Sequence, residues 1–83
     1  MDIERIKQAI RLITNDHCSR LDELGEGESA VLYYRIHLPN SIDLDLELSG
    51  TVDVMANQLR QWIEDNKSIL PKEWVDEAGG YIP

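Results

Sequence analysis

The sequence predicts an α+β fold: helix, antiparallel β-hairpin, helix and short C-terminal helix, with the helices packed on one face of a small sheet. Three observations predict it. Ile42–Leu48 reads I-D-L-D-L-E-L, one aliphatic alternating with one carboxylate, the period-2 pattern of a strand with one dry and one wet face. Ala30–Leu38 is rich in β-formers and is joined to that run by Pro39-Asn40-Ser41, which carries turn chemistry. Apolar residues at helical spacing precede and follow this pair.

Asp2 is placed to cap a first helix whose Ile3, Ile6, Ala9, Ile10 and Ile13 share a face, with Arg5, Lys7, Gln8 and Arg11 mostly on the other. Thr14-Asn15-Asp16 reads as a break or bend. A second helical stretch is expected over Asp16–Leu24, with Leu21 and Leu24 inward and Gly25 as its stop. The two pieces also fit one long helix. Gly25-Glu26-Gly27-Glu28 reads as a mobile acidic loop.

The hairpin follows, and its register can be proposed. With Leu38 facing Ile42, the dry side pairs Ile36 with Leu44, Tyr34 with Leu46 and Leu32 with Leu48. The wet side then pairs His37 with Asp43, Arg35 with Asp45 and Tyr33 with Glu47. Both faces match at once, and each such cross-strand pair contributes about 0.2–1 kcal/mol. A slip by one residue buries the carboxylates, so the register is strongly specified. The edges of the hairpin need a cover: a third strand, a partner chain or a symmetric dimer.

Gly50 ends the second strand. Thr51 caps a helix reaching about Asn66, with Asp53 in its first turn and an inward stripe of Val52, Met55, Ala56, Leu59, Trp62 and Ile63. Pro71 suits the first turn of a short helix ended by Gly79-Gly80.

Eighty-three residues, 42% hydrophobic and 29% charged, form one small domain over 1–83. Such a chain buries only about 60–65% of the surface its unfolded form exposes. Cys18 is the lone cysteine, which excludes an internal disulfide and favours a reducing, cytoplasmic location. No apolar run reaches the length of a membrane span, and the N-terminus lacks the order of a signal peptide.

The net charge is −8 and is unevenly spread: residues 1–21 carry +1 and residues 22–83 carry −9. Such a body repels nucleic acid and anionic membrane and attracts basic protein surfaces. Direct nucleic-acid or membrane binding is therefore not expected. A protein partner with a basic surface is, and so is a homodimer through the hairpin edges.

The acidic ladder Asp43, Asp45, Glu47 is the leading candidate site. Its bland reading is a solvated strand face. Its functional reading is a surface that imitates a phosphate backbone, because same-face residues stand about 6.6–6.8 Å apart along a strand. Arg35 opposes that reading by neutralising Asp45 in part, while Glu26 and Glu28 extend the acidity. Tyr33 beside the ladder and the C-terminal Trp74 and Tyr81 are candidate anchors, since Trp and Tyr are enriched in interface hot spots; their bland reading is core.

Catalysis and metal binding find little support. Asp43-x-Asp45-x-Glu47 lacks the glycine and the twelfth-position glutamate of a calcium loop. His17 and Cys18, adjacent on a helix, diverge too far to act together, and His37 reads as the partner of Asp43. No phosphate loop and no triad is legible. The expectation is a non-enzymatic, cofactor-free interaction module: an inhibitor of a basic, nucleic-acid-binding partner, in the manner of phage anti-CRISPR and anti-restriction proteins or of immunity proteins. The alternative is a structural or assembly subunit, of a phage or another homo-oligomer.

Overall fold

A computed structural model describes residues 2–26 and 29–81. The elements in chain order are α1 (Ile3–Ile13), β1 (Cys18–Glu26), β2 (Ser29–His37), β3 (Asp43–Gly50), α2 (Val52–Asn66) and α3 (Lys72–Tyr81). The strands form one antiparallel sheet in the order β1-β2-β3, and the architecture is α+β with helices on one sheet face.

The caps are those the sequence implies. The Asp2 carboxylate accepts from the Arg5 N–H at 3.0 Å, and the Thr51 hydroxyl accepts from the Val54 N–H at 3.3 Å. The β2–β3 register is also the expected one, from Leu32 opposite Leu48 to His37 opposite Asp43. In the turn, the Ser41 N–H donates to the Leu38 carbonyl at 3.1 Å and Ser41 sits at φ 67. A tight turn followed by a left-handed residue is a common three-residue hairpin connection.

Residues 16–24 correct the sequence reading: from Cys18 onward they form most of a third strand, not a second helix. The chain leaves α1 through Asn15 (φ 53) and Asp16 (φ 63), two residue types that tolerate the left-handed region. Their N–H groups close the last helical turn onto the Leu12 and Arg11 carbonyls. The strand wins because β2 is central and buried, and its second row of backbone groups needs partners. Leu21 and Leu24, expected inward, are 47% and 57% exposed. Gly25 and Glu26, expected in a loop, complete β1, with Gly25 opposite Ala30; Gly27 and Glu28 lie outside the described residues.

The core lies between the sheet and the helices. Leu32, Tyr34, Ile36, Leu38, Leu46 and Leu48 meet Ile6, Ala9, Ile10 and Ile13 of α1 and Met55, Ala56, Leu59 and Ile63 of α2. Each such side chain contributes about 1.5–3 kcal/mol by leaving water. The C-terminal helix runs through Gly79 and Gly80, where a stop was expected. Continuing one more turn carries Tyr81 to the face of Trp74 and Ala78, at i+7 and i+3 spacing, where all three pack on the core.

Candidate functional site: the exposed sheet face

Alternation along the strands sends a second set of side chains away from the helices. From β3 come Asp43, Asp45 and Glu47, and from β2 come Tyr33, Arg35 and His37. The third strand adds Ser19, opposite Arg35, and Asp22, opposite Tyr33. Sequence reading missed these last two because it placed them on a helix. The Gly-Glu-Gly-Glu segment between two potential strands was the signal for another hairpin.

These side chains form a bonded network. Asp45 is its hub: Oδ1 accepts from Arg35 Nε at 3.3 Å and Oδ2 from the Tyr33 hydroxyl at 3.1 Å. Tyr33 stands opposite Glu47 but bonds diagonally, within reach for a long side chain. Donating to a carboxylate holds the Tyr33 phenol in its protonated form and raises its pKa. Among the described residues Glu47 takes no hydrogen bond or ion pair, so it ends the row as a free carboxylate. Asp22, Asp43, Asp45 and Glu47 together outnumber the single guanidinium of Arg35.

His37 lies between Ser19 and Asp43. Its Nδ1 is 3.0 Å from Asp43 Oδ1 and its Nε2 is 2.7 Å from Ser19 Oγ. An ionised carboxylate only accepts, so Nδ1 carries the proton and, in the neutral ring, Nε2 accepts from the serine hydroxyl. This order of groups is that of a hydrolytic relay. It stands on an open strand surface, with the His37 and Asp43 side chains 42% and 51% exposed. Water there screens the charges that a preorganised acyl-transfer site strengthens by excluding it. Its two bonds hold the Asp43 carboxylate and link side chains of all three strands.

The other sequence candidates divide. Trp74 is 7% exposed and packs on the core, its ring 6.1 Å from that of His17; Tyr81 is half-buried against the same core. Both belong to the helical layer, on the opposite side of the sheet from the ladder. Glu26 ends β1, and Glu28 lies outside the described residues.

On the helix side, a groove of about 410 Å³ between α1 and β1 is lined by Glu4, Lys7, Gln8, Arg11, Arg20 and Tyr34. Its cations are paired: Lys7 Nζ bonds Glu23 at 2.7 Å and Glu4 at 2.8 Å, and Arg20 bonds Glu23 at 2.8 Å. The bond from Lys7 lowers the Glu23 pKa, and its carboxylate partners raise that of Lys7. Burial of the Tyr34 ring, 4% exposed, raises its phenol. Among the described residues no cluster of three or more His, Cys, Asp or Glu side chains is placed to hold a metal ion. Also among them, no helix is long and apolar enough to cross a membrane.

Comparison with known proteins finds no matching family model, no matching curated protein and no matching solved structure.

Proposed function

We propose that this chain is a non-enzymatic interaction module that lays its exposed acidic sheet face on a basic, nucleic-acid-binding surface of another protein and so blocks it. The observation that carries this reading is the row Asp43, Asp45, Glu47 on one face of β3, joined by Asp22 two strands away. Repeating at about 6.6–6.8 Å, the row offers carboxylates at a separation close to that of phosphates along a nucleic-acid strand. Arg35 offsets part of its charge, and Tyr33, Arg35 and His37 hold its geometry; a preorganised surface loses less conformational entropy on binding. A carboxylate bonded on one side keeps lone pairs for a partner's arginine or lysine. Within this class, phage anti-CRISPR or anti-restriction inhibitors and immunity proteins are the nearest functional analogies. The lone thiol of Cys18 fits a reducing compartment such as the cytoplasm.

The test uses the wild-type chain and an Asp43→Lys/Asp45→Lys/Glu47→Lys variant as paired baits in a bacterial lysate. The expected result is a nucleic-acid-handling protein retained by the wild type alone and released from it by added DNA or RNA. With the purified partner, association slows in the variant and loses most of its salt dependence. Equal recovery of the same proteins on both baits would reduce the ladder to a solvated strand face.

A further inference from the structure

The two edges of the sheet are treated differently. On β3, the Trp62 indole Nε1–H donates to the outward Asp45 carbonyl at 3.0 Å, and Gln58 Oε1 accepts from the Ser49 N–H at 2.9 Å. One face of α2 thus satisfies part of that edge. On the far side of the sheet, the His37 N–H donates to the His17 carbonyl at 2.8 Å, so antiparallel alternation directs the backbone groups of Ser19 and Asp22 toward β2. Those of Cys18, Arg20 and Glu23 point outward. Among the described residues no other element bonds them; the Glu23 N–H is held at 2.9 Å by Oδ1 of its neighbour Asp22.

We infer that this outer edge of β1 is the seat of a two-fold dimer, in which β1 pairs antiparallel with β1 of a second copy and two three-stranded sheets become one of six. Three features select a second copy as the occupant. The first is the bulge. The register of β1 on β2 shifts between Arg20 and Asp22, so Leu21 is an extra residue. A bulged edge pairs poorly with a regular strand, but a two-fold copy brings an equal bulge, so that each Leu21 stands opposite the other copy's Asp22 and the strands stay in step on either side. The axis then passes between Leu21 and Asp22.

The second feature is charge. That register places Arg20 opposite Glu23 of the second copy and Glu23 opposite its Arg20, on the helix side of the sheet beside the α1–β1 groove. A strand whose outward positions carry one cation and one anion, symmetric about its bulge, is complementary to itself. The third is apolar exposure. Leu21 and Leu24, 47% and 57% exposed, flank the axis on β1 and gain side chains of the added strand beside them. The axis runs perpendicular to the sheet, so both acidic faces lie on one side and the dimer doubles the ladder surface in a single plane. The dimer itself does not depend on what that surface binds.

Sedimentation velocity from about 1 µM to about 1 mM spans the affinities expected of so small an interface. The expected species at the upper end has twice the 9.5 kDa chain mass; a monomer throughout overturns the inference. Arg20→Pro removes an outward donor and blocks the edge, a substitution an edge strand tolerates in the monomer. It should give a monomer with unchanged far-UV circular dichroism, and a folded Arg20→Pro dimer overturns the inference. Arg20→Glu sets like charges against each other and should weaken the dimer roughly tenfold or more. The double variant Arg20→Glu/Glu23→Arg, carried on a Lys7→Glu background because Lys7 bonds Glu23 at 2.7 Å, restores it, exchanging the charges without changing their match. Failure of the double variant to recover overturns the proposed register, whether or not the proline variant folds. The Asp43→Lys/Asp45→Lys/Glu47→Lys variant should remain dimeric, which separates this inference from the function proposed for the ladder.

Discussion

Gly50 is a residue whose identity the backbone dictates. It joins β3 to the cap of α2 at φ 111, a conformation that L side chains rarely adopt. A Cβ there meets Val54 Cγ1 at 3.3 Å. Gly50→Ala should therefore cost about 1–3 kcal/mol, read as a lower urea midpoint with an unchanged slope. The Lys7–Glu23 pair acts through protons. Its bond lowers the Glu23 pKa, so the stability this carboxylate contributes is present above the ordinary glutamate value and is lost as pH falls through the depressed one. For Lys7, whose pKa is raised, the contribution is present below the ordinary lysine value and is lost as pH rises through the raised one. Glu23→Gln should therefore separate from the wild type at neutral pH and converge with it on the acid limb, in thermal melts taken at a series of pH values.

At the scale of elements, what was legible and what was not share one cause. The hairpin register was readable because the I-D-L-D-L-E-L run and its partner are matched on both faces, and because neither strand contains an extra residue. The first strand was not, because its bulge inserts Leu21. That insertion turns a period of two into Cys18, Leu21 and Leu24 at a spacing of three, which imitates a helix face. Its helix-side positions include Arg20 and Glu23, acceptable on an edge strand beside Lys7 and invisible to a search for apolar alternation. Ser19 and Asp22 were lost with it, and so was half of the hydrogen-bonded relay through His37. The inward stripe of α2 was legible; the second use of its Trp62, as a donor to the β3 edge, was not, since nothing local to the helix demands it. Trp62→Phe keeps an aromatic side chain, though a smaller one, and removes that donor. It should cost about 0.5–1.5 kcal/mol and speed hydrogen exchange along β3 more than along β1, measured amide by amide.

The whole molecule carries −8 on 83 residues, and the excess falls on residues 22–83, which hold −9. The fold adds to this crowding, because it aligns Asp22, Asp43, Asp45 and Glu47 on one side of a single sheet while the helices take the apolar residues of the other. Local pairing relieves part of the repulsion: Arg35 and Tyr33 hold Asp45, and His37 holds Asp43. Glu47 has no such relief among the described residues. Self-repulsion destabilises the compact state and is screened once ions gather within a Debye length, about 10 Å at 0.1 M salt. The melting temperature should therefore rise with sodium chloride from about 10 mM to about 300 mM, over which that screening becomes effective. Most individual surface ion pairs would be weakened by the same salt, but they contribute only about 0–1 kcal/mol each, so the net direction is set by the like charges. A Glu47→Gln variant should begin from a higher melting temperature at low salt and gain less as salt is added, because it removes the carboxylate that lacks a partner. An Asp45→Asn variant should instead start lower, since it removes the charge paired with Arg35 and leaves one acceptor oxygen where Arg35 and Tyr33 use two. Differential scanning calorimetry of the three proteins across the salt series separates the two effects. Equal salt slopes in all three would place the repulsion elsewhere on the acidic body and detach it from the ladder.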